Sequence, residues 1–544
     1  MQGIIGRVAA NVALAALVAL CLSVGSTPAG RAEPAPRLLD LRVSNGSTPF
    51  AGDRRLLTTV SPNGDGFRDR AIVTFRLLQA ATVQMDVLRT VNVRRGTAAV
   101  QTILTKSVTL EAGRHHFVWT PVRTLAEGTY VLRLSVTDMQ GRQRVYDDSP
   151  NGSRVAVAAP VVRIQGIDVA SSPSYAPGQT ASVSIATDAR FLRFDVLSFR
   201  RGLTGAQDPR TTARPIAAPT NLLWTNHRSA PAALTFRIGN WPSGLYFIRI
   251  TARDGRVGYA PFVVRPRRLG TSRIAVIVST NTWQAYNFDD ANGDGWGDTW
   301  YDRAAVRSVD VRRPYVDFGI PFRFRGLDAP IFSWLAARPE KLDFLTDVDL
   351  APVNIGELAR DYDLIVFPGH EEYVTGHEYD LVERYRDEGG NLMFLSANNL
   401  FWKVVFHGAI MRRVGEWRNL GRPEAAVIGV QYVASDYGTH QAPYVVADTA
   451  AQWLFAGTGL RNGDAFGHYG YEIDVRTAAS PPGTILLASA PDLMGPGRSA
   501  EMTYYETPDG AKVFAAGALN FAASVSGPVV ERMLENVWSL LSRP

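Results

Sequence analysis

Hydrophobic residues follow two rhythms along this chain. Over roughly the first half they alternate with polar residues in short runs closed by turn residues. Ala71-Ile72-Val73-Thr74-Phe75-Arg76-Leu77 and Thr129-Tyr130-Val131-Leu132-Arg133-Leu134 are examples. A period of two predicts strands with one buried face. The alternation runs on through Ala181-Ser182-Val183-Ser184-Ile185 and Phe191 to Phe199, and 240–250 reads as a turn followed by a strand. From Ser272 the texture changes. Ile274-Ala275-Val276-Ile277-Val278 and Leu364-Ile365-Val366-Phe367 are continuous apolar runs too short for ordinary helices. They read as strands buried on both faces. Further strands are expected over 342–345, 392–395, 425–430, 485–488 and 513–516, with helices over 331–337, 378–388 and 529–541. Two all-β units, 36–159 and 160–268, are therefore expected ahead of an α/β unit over 269–544 with a mostly parallel sheet.

A length of 544 residues suits about three such cores. Residues 1–32 are expected to be a cleaved secretory signal. Arg7 supplies the basic start, 8–24 the apolar stretch, and Gly30-Arg31-Ala32 the small residues of a cleavage site. Cys21, the sole cysteine, falls inside that stretch. The expected mature chain thus has no disulfide, thiolate ligand or cysteine nucleophile, and it is expected to be extracellular with no membrane span. Removing the signal lowers the formal charge from +6 to +4. The positive charge is almost all arginine and is scattered, with no basic block interleaved with aromatics. Nucleic acid is not an expected partner.

Chemistry concentrates in a few stretches. DLIVFPGHEEY carries the buried strand into a Pro-Gly turn and delivers His370, Glu371, Glu372 and Tyr373 at the strand's carboxyl end. In open α/β sheets ligands bind at that edge. His370 and Glu372 lie two apart on an extended segment and point the same way; Glu371 is expected to point away. Asp290-Ala291-Asn292-Gly293-Asp294-Gly295-Trp296-Gly297-Asp298 places oxygen side chains at Asp290, Asn292, Asp294 and Asp298, with Gly295 for the sharp turn. This spacing suits a structural Ca²⁺. Its twelfth position is Tyr301 rather than Glu, with Asp302 as a substitute. Ser61-Pro62-Asn63-Gly64-Asp65-Gly66 repeats the theme with fewer ligands, and a plain Asx-rich turn reads it equally well.

SPNGDG, with the later Ala126-Glu127-Gly128-Thr129-Tyr130-Val131-Leu132, resembles the FlgD-type immunoglobulin-like domains of secreted bacterial proteins. That implies an immunoglobulin-like β-sandwich for the first unit, and the second reads the same way. The third resembles a flavodoxin-like sheet of the class I glutamine amidotransferase type. No cysteine is there for amidotransferase chemistry, and no G-x-S-x-G elbow or P-loop occurs.

Taken together, NTWQAYN (281–287), RRPY (312–315), PGHEEY (368–373), GGNLMFLSANNLFW (389–402) and GYEID (470–474) resemble the C-terminal domain of the N,N-dimethylformamidase beta subunit family. The resemblance runs from about Tyr246 onward. It implies a mononuclear Fe³⁺ site with two tyrosines and one glutamate. Carried onto this chain, the ligands are Tyr286, Tyr315 and Glu372, with His370 and Glu472 assisting amide hydrolysis. Trp283, Tyr301 and Tyr373 lie close enough in sequence to leave the tyrosine choice open. Glu371 stands where the family commonly has Asp, and Val374 where it commonly has Trp.

The residue types agree with such a site. A phenol of pKa about 10 ionises at neutral pH only beside a strongly polarising cation. Two phenolates and a carboxylate are hard oxygen donors suited to Fe³⁺. The expected function is a secreted metal-dependent amidohydrolase acting on a small-molecule or cell-wall amide. The rivals are a non-catalytic, calcium-stabilised extracellular binding or adhesion protein and, more weakly, a carbohydrate-active protein. Oligomerisation and a small partner subunit stay open at this point.

Overall fold

The computed structural model describes residues 35–90, 100–147, 158–199, 213–301, 305–448 and 451–543. The signal reading, Cys21 and Asp302 lie outside them. Strand outweighs helix, 39% against 15%, so sandwiches dominate the architecture.

The first sandwich packs Leu39–Ser44, Ala71–Leu77 and Gly113–Trp119 against a sheet built on Ala81–Arg89 and Gly128–Asp138. Its alternating residues meet as forecast: Val73, Phe75, Val83, Met85, Leu132 and Leu134 form one core. The unit extends further than its expected end at 159. Val161–Ile164 pairs in parallel with Leu57–Val60 and antiparallel with Gly128–Asp138, and Val162 and Ile164 fill the first core. The apolar run after Pro160 belongs by pairing to the sheet it leaves.

The second sandwich sets Asp168–Ala170, Thr180–Ala186 and Ala232–Arg237 against a sheet centred on Gly244–Ala252. That central strand is buried on both faces. Tyr246, Ile248 and Ile250 face the sandwich core, whereas Leu245 and Phe247 join the core of the following unit. Burying a large apolar side chain stabilises by about 1.5–3 kcal/mol. The shared strand thus fuses the second sandwich to the third unit.

In the third unit we number the elements β1 (Ile274–Val278), α1 (Thr280–Ala285), α2 (Ala329–Leu335), β2 (Asp343–Thr346), β3 (Leu364–Phe367), α3 (Gly376–Asp387), β4 (Asn391–Phe394), β5 (Gln441–Val446), β6 (Ala465–Gly470), β7 (Ile485–Ala490), β8 (Ala500–Glu506), β9 (Lys512–Ala515) and α4 (Pro528–Leu541). They form a nine-stranded sheet in the order β2-β1-β3-β4-β9-β8-β7-β5-β6. The five strands β2, β1, β3, β4 and β9 run parallel; the other four are antiparallel. Every residue of β1, β3 and β4 is buried. Helix α4 closes one face with Leu534, Val537, Trp538 and Leu541, and α3 packs Tyr379, Leu381, Val382 and Tyr385 on the other.

One expected strand is not formed. Residues 425–430 carry a short helix, Ala425–Ile428, which ends at Gly429 with φ +93°. Two alanines favour helix, and a glycine in left-handed conformation is a common helix stop.

Candidate active site

The parallel strands share one carboxyl edge, and the marked motifs gather there. Leaving β1, the chain turns at Ser279 into α1, the NTWQAYN helix, which Asp347 anchors from beyond β2. The Asp347 carboxylate accepts from Thr280 Oγ1 at 2.6 Å and from the Asn281 amide at 2.8 Å. Leaving β3, PGHEEY runs across the end of α1. Its Glu372 amide donates to Thr282 Oγ1 at 3.1 Å, and Asn281 Nδ2 donates to the Tyr373 carbonyl at 3.2 Å. Leaving β4, the chain places Asn398 at φ +52°, a conformation asparagine tolerates better than most residues. Glu472 opens the strand Glu472–Val475, which is held to Gln431–Ser435.

These segments converge on Glu372. This residue is only 4% exposed. The Tyr286 hydroxyl donates to Glu372 Oε2 in a short hydrogen bond. Tyr373, the next residue, also interacts with this carboxyl and offsets part of the effect of its burial. Asn398 Nδ2 bridges the two acids, 3.2 Å from Glu372 Oε1 and 2.8 Å from Glu472 Oε2. His370 Nε2 lies 3.4 Å from Glu472 Oε2 and 3.7 Å from Glu372 Oε2. The first distance is short enough for a hydrogen bond, but Nε2 has no hydrogen-bond partner, so the alignment is wrong for one. The Asn398 backbone offsets part of the lowering that burial imposes on the ring.

Burial sets the proton affinities. It raises the Glu372 carboxyl well above the usual range, and the nearby Glu472 charge adds to the effect. It also raises the Tyr286 and Tyr373 phenols, again helped by Glu372. It lowers His370, although Glu472 pulls the other way. Behind the cluster, Asp474 is pushed up to about 8 by burial while accepting from the Asn398 amide at 2.9 Å. The result is a set of hard oxygen donors held protonated by their surroundings. They fit a hard cation: a high positive charge is what would favour their ionised forms.

One expected site residue takes another place. Tyr315 is not in this cluster. It lines a separate cavity of about 370 Å³ between the second sandwich and α1, together with Gln284. RRPY is drawn there by Arg313, whose guanidinium is buried against the carbonyls of Gln284, Asp289, Asp298 and Asp310. The larger cavity is thus not where the acids meet. The phenol beside Glu372, in addition to Tyr286, is Tyr373. Glu371 does point away from Glu372, but into protein: it is 2% exposed and lies against Asp347. Sequence reasoning assigned no role to Asn398, although SANN directly after β4 at a carboxyl edge was a usable signal.

In the Asp290 loop the oxygens turn inward on the backbone. Asp290 accepts from the amides of Gly293, Asp294 and Gly295; Asn292 accepts from that of Asp294, and Asp294 from that of Trp296. Asp298 accepts from Ala291 and Asn292. The loop docks on the first sandwich. Arg54 Nη2 donates to the carbonyls of Asn292 and Gly293 at 2.9 and 3.0 Å. At Gly295, φ +92°, a Cβ would lie 2.4 Å from Val131 of that sandwich. The glycine is therefore required both by conformation and by close approach.

A cavity opens above the cluster, with Tyr286, His370, Glu472, Tyr301, Arg323 and Tyr471 among its walls. Asp328 also faces it, pushed up to about 7 by burial and accepting from Trp283 Nε1 at 3.1 Å.

The N,N-dimethylformamidase beta subunit of Paracoccus aminophilus is 25% identical over 402 residues, covering 54% of this chain and 52% of its own. That of an Alcaligenes species is 26% identical over 387 residues, covering 52% and 50%. The chain thus spans about half the length of the curated relatives it matches. Among solved structures, trypsin-activated alpha-2-macroglobulin from Escherichia coli is 12% identical over 42% of this chain and 17% of its own, with a TM-score of 0.23, too low to assign a fold. The family pattern for the N,N-dimethylformamidase beta subunit-like C-terminal region matches residues 204–532, well over half of the sequence, and the chain belongs to that family.

Proposed function

We propose that this protein is a metal-dependent amidohydrolase that cleaves a C–N amide bond at the Glu372 cluster. The observation that carries the reading is the hydrogen bond from Tyr286 to the buried Glu372 carboxyl, with Tyr373, Glu472 and His370 beside it. Two relatives are named dimethylformamidase subunits, which supports amide hydrolysis as the reaction class. In this reading Tyr286, Glu372 and Tyr373 hold a ferric ion, with Tyr373 in the role expected of Tyr315. Such an ion supplies a Lewis acid that polarises the amide carbonyl and acidifies water.

The remaining work falls to the chain. Asn398 holds Glu372 and Glu472 apart at fixed positions. The lowered proton affinity of His370 keeps its Nε2 lone pair available near neutral pH. It accepts a proton from water as the water oxygen bonds to the carbonyl carbon. Glu472, 3.4 Å away, relays that proton to the departing nitrogen as the C–N bond breaks. Amide and water thus become carboxylic acid and amine. The aromatic walls limit the water that reaches the reacting atoms.

With this reading go a flavodoxin-like core for the third unit, secretion after loss of residues 1–32, and a structural Ca²⁺ in the Asp290 loop. Desolvation and the neighbouring Asp294 push Asp290 up to about 6, a sign of uncompensated negative charge that a cation would relieve. An oligomer or small partner subunit is proposed from the relatives' naming as beta subunits. Among the described residues no helix is long and apolar enough to cross a membrane. The test is release of amine from N,N-dimethylformamide and from N-formylated amines by iron-loaded protein. Turnover that disappears in Glu372→Ala supports the proposal; turnover that survives this change together with full iron content refutes it.

A further inference from the structure

We infer that Arg323 forms an anion subsite and that the substrate of this site is an amide carrying a carboxylate. The inference rests on the amidase reading for the reaction but on separate observations for the subsite. Arg323 stands in the wall of the cavity that also exposes His370 and Glu472. Its backbone is left-handed, φ +61°, at the start of a short helical turn. A non-glycine residue pays about 1 kcal/mol or more for that conformation, and such residues gather at ligand sites. The strained backbone directs the guanidinium among aromatic rings. It lies 5.3 Å from the Tyr301 ring centroid, 5.3 Å from Phe322 and 4.9 Å from Tyr471. Tyr471 is itself left-handed, φ +71°, and immediately precedes Glu472.

Rings surround the guanidinium carbon but accept no ion pair. One edge donor is taken, Nη2 to the Tyr301 hydroxyl at 2.6 Å. Among the described residues no carboxylate pairs with Arg323, whereas its neighbour Arg325 is paired with Asp317 at 2.5 Å. A guanidinium has several N–H donors in a plane that matches a carboxylate with two parallel hydrogen bonds. A cation fixed by rings and lacking an acid partner is prepared for one from outside. The acids of the cluster would repel a carboxylate placed among them, so the charge fixes the substrate's direction: amide toward Glu372, carboxylate toward Arg323. Small N-acyl amino acids have this form; solvent amides such as N,N-dimethylformamide do not.

The test compares N-formylglycine with uncharged N-formylglycinamide, both for binding by calorimetry and for hydrolysis by the iron-loaded protein. One charge-assisted bidentate contact predicts binding of N-formylglycine roughly tenfold or more tighter than that of the amide. Arg323→Gln removes that preference, and Arg323→Lys keeps part of it. Equal binding of both ligands by the wild-type protein overturns the subsite. So does a preference that survives Arg323→Gln while both affinities fall together, because that outcome marks Arg323 as a prop for the aromatic wall. The two proposals fail separately. Selective binding without hydrolysis of either compound removes the amidase reading and keeps the subsite; hydrolysis of both with equal kcat/KM does the reverse.

Discussion

The Tyr286 hydroxyl donates to Glu372 across 86 residues of sequence, and the pair joins the carboxyl ends of two adjacent parallel strands. Neither residue is a natural occupant of a dry site. Burial holds both in the protonated form; Glu372 raises the proton affinity of Tyr286 further, whereas the hydrogen bond from Tyr286 offsets part of the rise at Glu372. Such a pair makes the metal-free fold less stable than it could be, and a bound cation reverses that cost.

Glu372→Gln separates the two effects. The variant should lose iron binding and amide turnover entirely. Its metal-free form should be more stable than wild type above neutral pH, by roughly 1 kcal/mol or more, because a buried acid has been replaced by a neutral isostere. Denaturant titration at two pH values checks this. A metal-free variant less stable than wild type would mean that Glu372 serves the fold.

The two tyrosines should respond differently. Tyr373→Phe removes a hydroxyl from Glu372 and should weaken iron binding by roughly tenfold to a hundredfold, the range seen when a group at a metal site is lost. Tyr315→Phe removes a buried hydroxyl away from the cluster and should cost about 1 kcal/mol of stability or less with the iron content intact. Iron loss in Tyr315→Phe, or in Tyr301→Phe but not Tyr373→Phe, would overturn the assignment of Tyr373.

Metal-free protein should lose stability as pH rises. Burial pushes Glu378 and Asp474 up to about 8, against ordinary values near 4.5 and 3.8. A group whose folded pKa is raised contributes stability fully present below its unfolded value and lost as pH climbs through the folded one. The window is therefore about pH 4 to 8, and the Tm at pH 5 should exceed that at pH 8.5. Glu371→Gln, which removes another buried acid raised by its surroundings, should flatten the dependence. A Tm that rises across this interval would contradict the linkage.

Calcium should act at the contact between the first sandwich and the third unit. In the Asp290 loop it should raise the Tm by several degrees, and Asp294→Ala should abolish the response. Arg54→Ala, which removes the donors to Asn292 and Gly293, should loosen the same contact, read as faster proteolysis between the two units. No response to calcium or chelator would leave the loop as a turn sustained by its own backbone hydrogen bonds.

Much of this was legible because local pattern and burial agree where strands are continuous. Ile274–Val278 and Leu364–Phe367 read as buried strands because both faces are covered. PGHEEY read as a site because a tight turn at a strand's carboxyl end has one place to go. Other features depended on packing that sequence spacing does not encode. Glu371 alternates away from Glu372, yet at this edge both sides of the segment are inside protein, so away is not outward. Tyr315 sits in a plausible motif, but Arg313 ties that motif behind α1, and no period in the sequence reveals four carbonyls meeting one guanidinium. The role of Arg323 was hidden for a similar reason. Its direction follows from a left-handed backbone that a single sequence does not announce.

The most direct measurement is the visible absorption spectrum of purified protein loaded with one equivalent of ferric ion. The account predicts a tyrosinate-to-iron charge-transfer band that is lost in Tyr286→Phe and Glu372→Gln. A colourless protein that binds calcium and no iron would contradict it.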